Sequence, residues 1–308
     1  MRNAFAQELH RLAGEDDRIV LLSGDIGNNL FNAFKADYPA RFLNCGAAEA
    51  DMTGVAAGMA LCGLRPVTYT IAAFNPGRCA EQIRLDVALH RLPVVIVGVG
   101  GGLSYSALGP THHALEDVAW MRAIPDMTVV CPGDAVETRL ALRAALVHDG
   151  PVYMRLGKKN EPVVHQQEPL FTLGKGIVLR EGRDVCLLAT GTLLPVAVAA
   201  AENLAREGIG CGVVSLHTVK PLDEDLLVKL CAQVPLLAVL EEHHPAGGAW
   251  STVAEWLVEH GKHKTTLLRF GAPDAFFTEG GGQSWARERM GLTTDNVLAT
   301  IRKKIHTL

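Results

Sequence analysis

The sequence predicts two consecutive α/β domains, each built on a mainly parallel sheet flanked by helices. Three observations lead there. Short apolar runs rich in β-branched residues recur through the first half at helix-length intervals, the pattern of buried parallel strands joined by crossovers. A polar stretch from Gly157 to Phe171 interrupts that pattern, and a second alternation follows it. At 308 residues, the chain can hold two domains that each bury a core.

The first strands read as Ile19 to Leu22, Val67 to Thr70, Val94 to Val99, Thr128 to Cys131 and Val152 to Leu156. Parallel neighbours cannot be joined by tight hairpins. Glu49 to Leu61, Arg78 to His90 and Ala135 to Val147 have the length and apolar spacing of the helices that must connect them. Together these segments define a first domain over residues 1–160. The polar stretch, with Lys158, Lys159, Asn160, Pro162, Gln166, Gln167 and Pro169, reads as an interdomain linker, set at residues 161–172. A smaller second domain then fills residues 173–308. Its strands are Val185 to Ala189, Gly212 to Leu216, Leu236 to Glu241 and Leu267 to Phe270, with helices from Pro195 to Arg206 and from Asp223 to Gln233.

Composition narrows the partners. The 29 basic and 33 acidic residues leave a net charge of -4, and neither sign is gathered into a block, so nucleic acid is not favoured. No segment reaches the roughly 20 apolar residues of a membrane span, and Met1 to Asp16 lacks a signal-peptide core. The cysteines are odd in number and form no Cys-x-x-Cys pair, which reads as packed, reduced thiols in a cytoplasmic protein with no membrane partner.

Three segments carry candidate chemistry. Phe42 to Met52 leads a strand-like run into a helix and sets Glu49 near that helix's N-terminus, where the dipole alone already favours an acid. In this helix Gly54, Ala57 and Gly58 would permit close backbone approach, while Met52, Val55, Ala56 and Met59 are spaced for core packing. Tyr69 to Arg84 reads as strand, loop and helix, with Phe74 in the loop; taken alone, Phe74 is an ordinary core aromatic. Gly98 to His113 is a glycine-rich loop closing on Gly109-Pro110-Thr111-His112-His113. It follows a strand of an open α/β sheet, where such folds place their sites, although three glycines alone equally suit a flexible connection.

These three segments, in this order, resemble the pyrimidine domain of the transketolase family, and Leu216 to Asp223 with Glu241 to Gly248 resembles its C-terminal domain. The resemblance covers nearly the whole chain and implies a thiamin-diphosphate-binding fold. It implies that Glu49 hydrogen-bonds the aminopyrimidine N1' and that Phe74 stacks on the ring. His112 would reach over the thiazolium and the donor's reacting carbons, with His113 as its neighbour. Both Glu49 and His112 are then catalytic. In Ser23 to Asn29, Asp25 and Ile26 match positions near the cofactor and Asn28 one near substrate phosphate, although Asp25 and Asn28 also suit a simple turn. Arg155 matches a phosphate-contacting arginine, with a linker salt bridge as its alternative.

Two departures bear on the substrate. Leu108 stands where the family has an aspartate that reads a substrate hydroxyl, and Gly100 where it has a histidine near the acceptor phosphate. Leu108 cannot accept a hydrogen bond, and burying a hydroxyl against it costs about 1–3 kcal/mol.

The family binds Mg2+ and the diphosphate on Gly-Asp-Gly followed by Asn, and no Gly-Asp-Gly occurs in this sequence. No metal site is expected in this chain, including at Glu241 to His244, since adjacent side chains on one strand diverge. A separate N-terminal-type subunit would carry the diphosphate and Mg2+ in an α2β2 assembly. The implied activity is transfer of a two-carbon ketol unit from a ketose donor to an aldehyde acceptor. The alternatives are the β subunit of a 2-oxoacid dehydrogenase, a deoxyxylulose-phosphate synthase-like enzyme, and a noncatalytic stabilising subunit.

Overall fold

The computed structural model describes residues 1–27, 29–158, 160–261 and 264–307. The first half runs α1 (Arg2–Ala13), β1 (Ile19–Ser23), α2 (Asn32–Asp37), β2 (Phe42–Asn44), α3 (Glu49–Leu61), β3 (Arg65–Ile71), the short turns α4 (Asn75–Arg78) and α5 (Ala80–Gln82), β4 (Val95–Val99), α6 (Asp117–Ala123), β5 (Thr128–Val130), α7 (Ala135–Val147) and β6 (Val152–Leu156). The second half runs β7 (Ile177–Arg180), β8 (Val185–Ala189), α8 (Leu194–Arg206), β9 (Cys211–Ser215), β10 (Thr218–Lys220), α9 (Glu224–Gln233), β11 (Leu236–Leu240), α10 (Ala249–Glu259), β12 (Thr266–Phe270), α11 (Gln283–Arg289) and α12 (Thr294–Ile305).

Two sheets result. The larger is seven-stranded in the order β10-β5-β6-β4-β3-β1-β2, and the smaller five-stranded in the order β12-β11-β8-β9-β7. All pairings are parallel except β10 on β5 and β7 on β9. Strands β1, β4, β6, β8, β9 and β11 are buried along their whole length, as strands with both faces covered by helices must be. That double burial explains why their sequences are continuous apolar runs.

Register places the working edge of the first sheet. Ser23 lies level with Asn44 and with Tyr69, and Ile71, Val99 and Leu156 form another row. The loops leaving β1, β2, β3, β4 and β6 therefore emerge on one side, at the carboxyl ends of parallel strands, where open α/β sheets bind ligands.

Several local expectations are corrected. The stretch expected as one helix from Arg78 to His90 is α4, α5 and a π-helical segment, Ile83–Ala88. Asn75, fully buried, donates from Nδ2 to the Val97 carbonyl at 3.1 Å, tying the first turn to β4 rather than to the helix axis. Gly54 and Gly58 meet nothing within 4 Å of where a side chain would begin, so they open the outer face of α3 instead of allowing close approach inside the chain. Val55 is also on that outer face, whereas Met52 and Ala56 enter the core. The linker side of the boundary is less independent than its polarity suggests, since β10 joins the first sheet and Asp134 accepts from the backbone N–H groups of Val164 and His165, each at 2.9 Å. Among the described residues, no helix is long and apolar enough to cross a membrane.

Candidate active site

Glu49 opens α3 directly after the loop from β2, and only 3% of it is exposed. Arg78 donates from Nη1 to Glu49 Oε2 at 2.9 Å. The end of β1 comes close to the same carboxylate: a side chain at Gly24 would begin 2.9 Å from Thr70 Oγ1 and 3.5 Å from Glu49 Cγ. Thr70 Oγ1 is buried and unpartnered among the described residues. A bare backbone, an orphan hydroxyl and a buried carboxylate thus share one corner.

Phe74 follows β3 in a turn closed by its N–H on the Ile71 carbonyl at 2.9 Å. The Arg78 guanidinium lies 4.5 Å from the Phe74 ring centroid. On the same ring, His112 packs at 5.2 Å between centroids with the planes at 64°. His112 ends the one-turn segment Pro110–His112, entered through Gly109 at φ 81°, and its Nδ1 is 2.9 Å from Thr111 Oγ1. Burial, and then the neighbouring His113, hold His112 below the ordinary histidine range. Glu49, Phe74 and His112 come from three separate strand ends and are linked in one chain of contacts, Glu49 to Arg78, Arg78 to the Phe74 ring and that ring to His112. A flat heteroaromatic ring with a basic nitrogen fits that set, since it offers a face to Phe74 and a nitrogen to Glu49.

The glycine loop has a different job from a phosphate cradle. Gly100 has φ +79, and a side chain there would begin 2.0 Å from the Tyr105 ring. Tyr105 thus fills the volume that a residue at 100 would take. Lys158 Nζ stands 4.6 Å over the Tyr105 ring, and His112 lies 6.4 Å from that ring between centroids. Burial pushes the Tyr105 phenol up, and the nearby Arg2 charge opposes that shift. Lys158, Tyr105 and Arg2 escaped the sequence reading because Lys158 sits in a polar stretch that looks like pure linker. The signal lay in its position, two residues past the end of β6, on the working edge.

The remaining expected residues are dispersed. Asp25, exposed at φ 57°, accepts from Asn44 Nδ2 at 3.0 Å, and Ile26 is half-buried with its carbonyl taking the Ser23 hydroxyl at 2.7 Å. Both lie on the loop after β1, and Asn28 lies outside the described residues. Leu108 is 55% exposed at the rim, so within this chain it does not bury a substrate hydroxyl. His113 turns away from His112: it is buried, with Nε2 3.4 Å from the Ser106 carbonyl and its ring 6.0 Å from Phe277.

Arg155 is held in a buried ion pair. It is 7% exposed and donates from Nε to Asp117 Oδ2 at 2.8 Å and from Nη2 to the Ala114 and Glu242 carbonyls at 2.5 and 2.8 Å. Its charge is paired with Asp117 and its other bonds join the two domains, so the arrangement resembles its salt-bridge alternative. The Glu241 to His244 run is likewise absorbed. Glu241 accepts from the Ala249 and Trp250 N–H groups at the start of α10 at 2.7 and 3.2 Å. Glu242 accepts from the Leu103 N–H at 3.0 Å and pairs with Arg287. Among the described residues, no group of three or more His, Cys, Asp or Glu side chains could hold a metal ion.

Comparison with known proteins places the chain as a whole. Residues 1–163 match the family model "Transketolase, pyrimidine binding domain", and residues 174–297 match "Transketolase, C-terminal domain". The chain is 39% identical over 299 residues to the 6-deoxy-6-sulfo-D-fructose transketolase subunit of Clostridium sp. (strain MSTE9), covering 97% of this chain and 92% of that one. It is 38% identical to a 1-deoxy-D-xylulose-5-phosphate synthase of Geobacter metallireducens, of which it spans 48%. A solved split-gene transketolase described as an inactive beta4 tetramer superposes with a TM-score of 0.89 at 36% identity, covering 99% of this chain and 97% of that one. The chain belongs to the transketolase family, as a polypeptide made of that family's pyrimidine-binding and C-terminal domains.

Proposed function

We propose that this chain is the pyrimidine-binding subunit of a two-component, thiamin-diphosphate-dependent transketolase that moves a two-carbon ketol unit from a ketose donor to an aldehyde acceptor. The observation that carries it is the continuous set of contacts that joins Glu49, Phe74 and His112 at the carboxyl ends of three strands. When bound, the cofactor supplies a carbon nucleophile and an electron sink next to a carbonyl. Glu49 would hold a proton between its carboxylate and the ring nitrogen of the aminopyrimidine. Phe74 would fix the plane of that ring. His112, favoured as a neutral imidazole, would donate to or accept from the oxygen atoms at the reacting carbons. An anionic group on the substrate would meet Lys158 and Arg2 around Tyr105, in place of the expected Arg155.

The diphosphate and its Mg2+ would be held by a partner chain, because no Gly-Asp-Gly occurs in this sequence. Two such pairs would make an α2β2 assembly. Support comes from the relative named as a transketolase subunit and from the split-gene transketolase whose beta4 form is described as inactive. The test is to purify this chain with the diphosphate-binding subunit and assay two-carbon transfer from hydroxypyruvate, with Glu49→Gln alongside. Turnover by this chain alone, or full activity of the variant, rejects the reading.

The likeness to the Geobacter metallireducens synthase favours a second reading, condensation after decarboxylation of pyruvate. Carbon dioxide release from pyruvate by the reconstituted pair, at a rate above ketol transfer, would select it.

A further inference from the structure

The reading above gives Arg78 no role of its own, although Arg78 joins two of its residues. Its backbone is fixed from several sides. Its N–H donates to the Phe74 carbonyl at 3.0 Å, and the preceding Gly77 packs so closely on Trp120 that a side chain would begin 2.9 Å from that ring. The following Cys79 is fully buried. From this anchored position the side chain, 53% exposed, reaches back across the Phe74 ring to Glu49.

A carboxylate as buried as Glu49 needs a hydrogen-bonded countercharge, because leaving it unpaired costs several kcal/mol. Arg78 supplies one through Oε2, at 2.9 Å. Oε1 accepts no hydrogen bond from the described residues. We infer that Arg78 is a positioning residue for the cofactor: it locks Glu49 by one oxygen so that the other faces the aminopyrimidine nitrogen, and its guanidinium holds the Phe74 ring that sets the plane. This rests on the assignment of Glu49 made above. A guanidinium making these same two contacts could instead merely fill the ring's place, to be expelled when the ring arrives. The two cases predict opposite signs when Arg78 is removed.

The experiment uses the assembled two-chain complex, freed of cofactor, with Arg78→Ala, Arg78→Lys and Glu49→Gln. Thiamin diphosphate affinity is read by titration calorimetry in the presence of Mg2+, and kcat is read separately at saturating cofactor. Arg78→Ala should weaken the affinity about tenfold, equivalent to about 1.4 kcal/mol, and lower kcat. Arg78→Lys should recover part of both, with the melting temperature of the cofactor-free complex little changed because the lysine keeps a countercharge beside Glu49. Unchanged affinity in Arg78→Ala overturns the proposal, and so does tighter binding, which would identify a mere placeholder. If Glu49→Gln abolishes turnover while Arg78→Ala changes nothing, only the role of Arg78 fails. If Glu49→Gln also changes nothing, the assignment of Glu49 fails and takes this one with it.

Discussion

His112 packs edge-on against Phe74, with ring centroids 5.2 Å apart and planes at 64°, although the two residues leave different strands, β4 and β3. The contact ties the glycine-rich loop to the turn that carries Phe74, so the imidazole and the aromatic ring are set relative to each other by packing. Such fixation is what a site needs if acid or base work is to be done at one carbon, since misplacement by about 1 Å can cost on the order of a hundredfold in rate. The predicted outcome for His112→Ala is a loss of ketol transfer without loss of thiamin diphosphate binding. Activity assays beside calorimetry on the assembled complex check it, and equal loss of both would point to a collapsed loop.

Glu49→Gln keeps the size of the side chain and removes its ability to hold a proton. Removing a positioned acid or base typically costs 10²–10⁴-fold, so turnover of the complex should fall by at least about a hundredfold. Circular dichroism of the isolated variant should match that of the parent chain. Activity within a few-fold of the parent would support the noncatalytic alternative.

Lys158 stands over the Tyr105 ring, which has His112 as a second neighbour. Replacing it with Ala should raise KM for a phosphorylated or sulfonated sugar about tenfold and leave KM for an uncharged acceptor unchanged, since charge-assisted hydrogen bonds contribute about 1.5–3 kcal/mol. A uniform rise for both substrates would contradict an anion contact. Arg155→Lys should show no such selectivity.

The fold was largely legible because double burial writes parallel strands as apolar runs, as in Val94 to Val99 and Val152 to Leu156. The edge strands β7 and β10 were not. β7 alternates partly buried and exposed residues along four positions, and β10 has only three, lengths too short to give periodicity. For the proposed site, motif and order pointed to Glu49, Phe74 and His112, whose loops follow strands at predictable places. Arg78 and Lys158 were not, because a cation's role depends on which anion or ring lies opposite. Arg155 shows the same limit from the other side: only the structure reveals Asp117, which arrives from α6, as its partner.

That pair gives a stability prediction. Asp117 is fully buried and Arg155 nearly so, at 2.8 Å. Removing one member leaves a buried charge without its partner, at a cost of about 3–5 kcal/mol. Asp117→Ala should therefore lower the midpoint of chemical denaturation substantially, and it should also loosen the contact between domains, because Arg155 carries the bond to the Glu242 carbonyl. Replacing both residues by well-packed apolar ones should recover much of the loss. An Asp117→Ala chain as stable as the parent would show that water reaches the guanidinium.

The last prediction concerns pH. His217 is fully buried, stacks on Phe171 at 4.0 Å between centroids, and is pushed down to about 4, chiefly by burial. Its Nε2 is buried with no partner among the described residues. The unfolded chain takes up a proton at this residue near pH 6.5, while the folded chain resists until about pH 4. In that window the unfolded state binds more protons, so the contribution of His217 to stability falls as pH drops, by up to about 3 kcal/mol once pH is below 4. His243, also held at about 4 by burial, acts in the same direction. Glu241 opposes them: burial raises it to about 7, so it favours the folded state at low pH and loses that effect as pH rises from about 4.5 to 7. Urea denaturation of the parent chain and of His217→Gln between pH 4 and 7 separates these contributions. The variant should show a shallower loss of stability on acidification, by close to one proton, with its curve converging on the parent's at the acid end. Parallel curves would mean that His217 is already protonated in the fold.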